Sequence, residues 1–384
     1  SEAIKDTLGS SVDRYEIVLE NGSSGGFTVI TPFTQLGSDL DGWTSSWGGE
    51  EQFGWSVSMN QDGTIVAVGG HKYYSKGRVR IYQYANNSWT QLGSDINGKA
   101  DYDQFGHSVS LSSDGTVLAA SSYKRHLWGA SVTGYVRLYK YNGSSWSHMA
   151  DINGTTNDDE FGYSVSISGD GTTFAAGGPK HSSKGHVKVY QYANNSWTQL
   201  GSDIDGTTTD GDFGFSVSLN NDGTTVLVGA RYASGLKGHI KIYQLNGSTW
   251  TQLGSDIAGT HSFGYLGQSV SINGDGTIVA AAAPQANSGR SVVRIYQYSN
   301  GSWTQLGSDI AGEANNNEIG YHDSLSLSSD GTIVAFGAYG GNSYAGWTKL
   351  YQWNGSAWVQ LGAKIVGETG GDMSGWSVSL SDDG

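Results

Sequence analysis

The sequence predicts an all-β fold: a seven-bladed β-propeller with four antiparallel strands per blade, closed by N-terminal strands pairing with a C-terminal strand. Three observations predict it. First, Asp-Gly pairs recur at Asp62, Asp114, Asp170, Asp222, Asp275, Asp330 and Asp383, with successive spacings of 52, 56, 52, 53, 55 and 53; a period of this length marks one supersecondary unit stacked many times. Second, each unit holds four short strand patterns separated by turn residues, as in a radially repeated blade. Third, the two chain ends read as complementary parts of one more blade, whereas an open solenoid would need polar capping repeats.

The unit from Phe53 to Gly98 shows why each element is expected. Ser56 to Met59 alternates polar and apolar residues, which is a strand pattern. Asp62-Gly63 is a two-residue hairpin signal, with positive φ expected at both positions of a type I′ turn. Ile65 to Val68 is a run of small and branched apolar residues, as in a strand buried on both faces. A polar loop from His71 to Lys76 leads to Arg78–Tyr84, which alternates again. Asn86-Asn87-Ser88 makes a second tight turn, and Trp89 to Leu92 is a fourth short strand.

At the N-terminus, strands are expected over Arg14–Glu20, Phe27–Ile30 and Phe33–Leu36, the last inside the fourth-strand motif Phe33-Thr34-Gln35-Leu36-Gly37-Ser38-Asp39. At the C-terminus, Trp376–Leu380 matches a first strand. One domain over 1–384 is therefore expected: residues 1–40 give three strands of the closing blade, 53–372 give six full blades, and 373–384 give the closing blade's first strand. Joining the ends in this way would remove sheet edges that invite aggregation.

The chain has 384 residues, 59 of them Gly and 3 Pro, with 12% aromatics. High Gly with many aromatics points to tight turns between strands rather than disorder. A net charge of -14 argues against a nucleic-acid partner, because phosphate contacts need a basic face. No apolar stretch is long enough to insert in a membrane as a helix. The start at Ser1 reads as a processed chain or an excised portion. The absence of Cys excludes disulfides, thiolate metal sites and a Cys nucleophile.

The Phe-Gly pairs at Phe53-Gly54, Phe105-Gly106, Phe161-Gly162 and Phe213-Gly214 drift to Leu266-Gly267, Ile319-Gly320 and Ser374-Gly375. With Gly177-Gly178-Pro179, Gly229-Ala230 and Ala282-Ala283-Pro284, they resemble the FG-GAP repeats of integrin-α-type propellers, over roughly residues 33 to 384. The resemblance implies a propeller of the kind used in adhesion, recognition or scaffolding. Calcium-binding members of that family carry an Asp-rich loop between the first two strands. Here the loop is only Asn60-Gln61-Asp62-Gly63-Thr64, and one carboxylate cannot supply the six to eight oxygens calcium takes. No metal site and no cofactor are expected.

Function is expected on one face. The second-to-third-strand loops and the blade connections are long and variable, and variable loops on a rigid scaffold carry binding. The candidate ligand-binding residues are Tyr73, Tyr74, Tyr123, Arg125, Trp128, His181 and Tyr232, with the longest loop, Ser122 to Gly134, foremost. Amphipathic rings of this kind suit a glycan or a protein partner. Trp55, His107, Tyr163, Phe215 and Trp376, each following a Phe-Gly-type pair, are expected near the entrance of the central channel, as interblade packing or as a pore-lining ring. A third-strand cation (Arg80, Arg137, Lys188, Lys241, Arg294, Lys349) and an acid after the fourth strand (Asp39, Asp95, Asp151, Asp203, Asp256, Asp309) recur in step, so they read as structural.

No zinc-protease, nucleophile-elbow or phosphate-loop pattern is present. The expected role is a non-enzymatic, extracellular or surface-exposed module for adhesion or recognition, on a cell or virus particle and within a larger assembly. The alternatives are a structural subunit of a filament, capsid or surface assembly, and a carbohydrate-active enzyme using the loop carboxylates Asp158, Asp159, Glu160, Asp210 and Asp212. Sequons at Asn86, Asn142, Asn194, Asn246, Asn300 and Asn354 occupy one repeated turn and are glycosylation candidates.

Overall fold

A computed structural model describes residues 16–18, 28–30, 33–42, 52–71, 76–123, 133–157, 159–207, 210–286, 290–315, 319–320, 323–340 and 344–384. The chain is an all-β propeller with six four-stranded antiparallel blades. In blade 1 the strands are Phe53–Met59, Ile65–Gly70, Arg78–Ala85 and Ser88–Gln91. Blade 3 runs Ser164–Ile167, Thr173–Gly178, His186–Ala193 and Ser196–Gln199, and blade 4 runs Phe213–Leu219, Thr225–Ala230, His239–Asn246 and Thr249–Gln252. Blades 2, 5 and 6 begin at Val109–Leu111, Val270–Ile272 and Leu325–Leu327. Each second strand is the apolar run read from the sequence, buried on both faces.

The core lies between blades. Five of the clusters of buried side chains join one blade to the first and second strands of the next; Val187, Val189, Phe213, Val217 and Val228 belong to one. The repeat residues serve this packing. Phe105, Phe161 and Phe213 are fully buried. The Ser-Val-Ser hydroxyls bridge neighbouring first strands, as where Leu111 N donates to Ser58 Oγ and Ile167 N to Ser110 Oγ. Fourth-strand indoles latch blades 2, 4, 5 and 6 to the one before: Trp146, Trp250, Trp303 and Trp358 donate to the carbonyls of Leu92, Leu200, Leu253 and Leu306. The third-strand cation pairs with the following acid in the Arg80–Asp95, Arg137–Asp151, Lys188–Asp203, Lys241–Asp256 and Arg294–Asp309 bridges.

The expected seventh blade is corrected: among the described residues six blade sheets form, not seven, four of them with a short fifth strand beside the third. Glu16–Val18 and Thr28–Ile30 pair only with each other as a two-stranded sheet. Phe33–Leu36 and Trp376–Leu380 form no strand, because neither has a partner strand to make a ladder with. They are nevertheless held. Leu36 O accepts from the Trp89 indole, as a fourth-strand leucine does. The C-terminal segment lies between blades 6 and 1, where Ser377 and Ser379 Oγ accept from Val57 and Met59 N, and Leu380 N donates to Ser326 Oγ.

A second local correction concerns the Asp-Gly turns. Gly63 has φ 71° but Asp62 is not left-handed, so the turn is not type I′. Instead the Asp62 carboxylate accepts from Thr64 N and its hydroxyl, an Asx-type closure repeated at Asp114, Asp170, Asp222, Asp275 and Asp330. The type I′ geometry occurs at the other turn, where Asn86 and Asn87 have φ 52° and 62°.

Candidate functional site

The site grows out of the Phe-Gly repeat. The glycine of each pair is left-handed (φ 88° at Gly106, 85° at Gly162, 86° at Gly214), a conformation that favours Gly. The next residue, just before the first-strand serine, is thereby delivered to the channel mouth. Trp55, His107, Tyr163, Phe215, Gln268 and Asp323 line a recess with room for about one water.

The wall is a chain of ring contacts. Trp376 lies 4.9 Å from Trp55, Trp55 stacks on His71 at 4.5 Å, His107 meets Tyr123 at 4.2 Å and Tyr163 at 4.9 Å, and Tyr163 meets Phe215 at 4.6 Å. The Arg231 guanidinium covers Phe215 at 3.6 Å and is held by Asp212 at 3.1 Å. The Trp55 indole donates to His107 Nδ1 (3.1 Å). Since an indole only donates, His107 carries its proton on Nε2.

Asp323 is the chemically distinctive member. Protein atoms enclose its carboxyl, and what remains accessible faces the channel. Burial raises its pKa from 3.8 to about 6. Its main-chain carbonyl accepts from Val378 N (3.0 Å), which anchors it to the C-terminal segment. Gln268 is buried, with its amide Nε2 lacking a protein partner. Burial also lowers His71 to about 4 and raises Tyr163. The recess thus holds a carboxyl whose pKa burial raises toward neutral, together with the Gln268 amide and the His107 imidazole.

Of the expected ligand-binding residues, Tyr123, His181 and Tyr232 are among the described residues. Tyr123 is buried in the mouth wall. His181 stacks on His186 outside the mouth. Tyr232 is exposed, with the Arg231 guanidinium 4.3 Å from its ring. Tyr73, Tyr74, Arg125 and Trp128 lie outside the described residues. Of the loop carboxylates, Asp210 binds Lys241 and Asp212 binds Lys180 and Arg231, so these two are not a free glycosidase pair; Asp158 lies outside the described residues. All six sequon asparagines are exposed at third-to-fourth-strand turns.

Sequence reasoning placed Trp55, His107, Tyr163, Phe215 and Trp376 near the channel but missed Gln268 and Asp323. Counting forward from Ile319-Gly320 reaches Tyr321, because blade 6 carries two extra residues before its serine. Counting back from Ser324 in Ser-Leu-Ser puts Asp323 in the ring, and that was the available signal.

No protein-family profile and no curated protein sequence matches the chain. Solved structures do. The periplasmic gluconolactonase PpgL of Pseudomonas aeruginosa superposes with a TM-score of 0.57 at 15% identity, over 93% of this chain and 96% of that one. A candidate 6-phosphogluconolactonase from Bacteroides uniformis gives 0.56 at 11% identity, over 94% of each chain. Hydrazine synthase of Kuenenia stuttgartiensis gives 0.54 at 14% identity, over 83% of this chain and 79% of that one. At such identities the likeness establishes the propeller fold.

These findings correct the expectation of a non-enzymatic adhesion or recognition module. The similar propellers are enzymes by name, and Asp323 places a carboxyl in the channel mouth.

Proposed function

We propose that the protein is a hydrolase of the lactonase kind, opening a sugar-derived cyclic ester at the channel mouth. The observation that carries this reading is Asp323, a carboxyl with its pKa near 6 in an aromatic recess with room for a water. A general base works best with its pKa close to the operating pH. Asp323 would take the proton of the attacking water. The water oxygen bonds to the lactone carbonyl carbon, and the Gln268 amide and His107 Nε2–H, which line the same recess, would stabilise the oxyanion. On collapse the ring C–O bond breaks, and the proton passes from Asp323 to the leaving alkoxide, giving the open hydroxy acid.

The chain is acidic and Arg231 is already bound to Asp212, so an uncharged lactone fits better than a phosphorylated one. The names of the similar propellers point the same way, and the periplasmic PpgL favours an extracytoplasmic setting. We also propose kinship of the repeat with FG-GAP sequences as a reading of its origin, resting on the buried Phe105, Phe161 and Phe213 and the left-handed Gly that follows each.

The test is hydrolysis of D-glucono-1,5-lactone, corrected for spontaneous opening, by the wild type and Asp323→Asn. The wild-type rate should rise as pH passes through about 6, and the variant should lose about 10²–10⁴ in kcat. Equal rates in the two proteins, or no activity above background on a panel of aldonolactones, would overturn the proposal.

A further inference from the structure

Beside the channel mouth, the connection into blade 3 and the loop between its second and third strands bring Asp159, His181 and His186 together. One donor atom from each lies within 4.8 Å of the others. Asp159 is 1% exposed and His186 0%. Buried polar atoms need partners, yet Asp159 Oδ2, His181 Nδ1 and both ring nitrogens of His186 have none. The two imidazoles stack at 4.1 Å.

Other blades fill the same place. In blade 2 the Tyr135 hydroxyl donates to Asp103 Oδ2 at 2.7 Å. In blade 4 Lys241 Nζ donates to Asp210 Oδ2 at 2.8 Å, beside His239 at 3.2 Å. In blade 3 the equivalent Lys188 turns instead to Thr155 Oγ1 (3.2 Å) and Asp203 (3.4 Å). Asp159 is left with Phe161 N on Oδ1 and nothing on Oδ2, and blade 3 adds a second histidine, His181. The position that neighbours close with a protein donor is thus open here and lined with lone pairs.

We propose that Asp159, His181 and His186 form a binding site for a first-row divalent cation of the zinc type. Two imidazoles and a carboxylate are a donor set that zinc takes with bonds of about 2.0–2.2 Å, leaving a fourth position for water. Calcium and magnesium prefer all-oxygen sets. Ligation draws the donors together by about 1 Å, and His181 sits on a one-turn 3₁₀ segment, His181–Ser183, that can move. Asp203 Oδ2 lies 3.8 Å from His186 Nδ1, where it would stand as the carboxylate behind a ligating histidine. The charges agree: Lys188 offsets Asp203, and the carboxylate of Asp159 remains for the cation.

The experiment strips the purified chain with a chelator, dialyses it against buffered Zn²⁺ and measures retained zinc and the thermal midpoint; Co²⁺ then reports ligand geometry by its visible spectrum. One zinc per chain, a raised midpoint and a tetrahedral cobalt spectrum are expected. His181→Ala, a half-buried loop change that leaves the blade intact, should weaken binding by at least about 100-fold and abolish the midpoint shift, while exposed His148→Ala changes neither. Failure of the wild type to retain zinc, or equal retention by His181→Ala, would overturn the proposal.

Discussion

Holding Asp323 in the channel mouth costs folding free energy, because burial disfavours its charged form. Its pKa rises from 3.8 to about 6, so the folded state binds the proton more tightly than the unfolded chain. The contribution to stability is full below pH 3.8 and is lost as pH rises through about 6. The size is at most about 3 kcal/mol, since each tenfold change in proton affinity is worth about 1.4 kcal/mol. Asp323→Asn should therefore raise the thermal midpoint at pH 7 and leave it unchanged near pH 4, while removing activity. Thermal unfolding of both proteins from pH 4 to 8 checks this; equal midpoints at pH 7 would mean the carboxyl is solvated. His71 acts with the opposite sign. Burial lowers it from 6.5 to about 4, so its contribution is present above pH 6.5 and lost as pH falls toward 4. The difference between variant and wild type isolates Asp323 from it.

The hairpin turns set the local cost of each blade. Asn87 and Asn195 sit at φ 62° and 61° in type I′ turns, whereas blade 5 uses Gly301 at the same place with φ 82°. Gly enters this region without strain. Asn87→Gly should stabilise the protein by about 0.5 kcal/mol and Asn86→Ala destabilise it by about 1 kcal/mol, as read by chemical denaturation. A destabilised Asn87→Gly would show that the Asn87 side chain contributes more than its backbone costs. Strands and turns of this kind were legible in the sequence because the period repeats them: Ile65–Val68 as a buried strand and Asn86-Asn87 as a tight turn both hold. The Asp-Gly turn type was not legible, since Asp62 closes its loop with its carboxylate through Thr64, a side-chain bond that the dipeptide pattern does not distinguish from a type I′ turn. The channel ring was half legible: four of its six lining residues follow a Phe-Gly pair, but Gln268 follows a degenerate Leu-Gly and Asp323 an insertion.

At the scale of the whole molecule, a repeat period specifies the unit and leaves open how the last unit meets the first. Trp376–Leu380 carries the first-strand pattern, yet pattern alone makes no ladder without a second strand, so six blade sheets form among the described residues. Closure is achieved by single bonds. On the face opposite the mouth, backbone bonds run from turn to turn: Gln61 N to Ser113 O, Ser113 N to Gly169 O, Gly169 N to Asn221 O, Asn221 N to Gly274 O, Gly274 N to Ser329 O, Ser329 N to Asp382 O, and Asp382 N back to Gln61 O. The C-terminal segment is thus a link in a closed circuit, and Val378 N also holds the Asp323 carbonyl. Deleting 374–384 should break the circuit between blades 6 and 1, leave Val57 and Met59 N without their serine acceptors, and release Asp323. Because each blade contacts chiefly its neighbours, an opened ring loses cooperativity as well as stability. The truncated chain should unfold at a lower midpoint, over a broader range, and with its lactone hydrolysis gone. A midpoint and width equal to wild type would mean that blades 1 and 6 are held by contacts other than the segment, and that the circuit of turn-to-turn bonds follows from the fold rather than closing it.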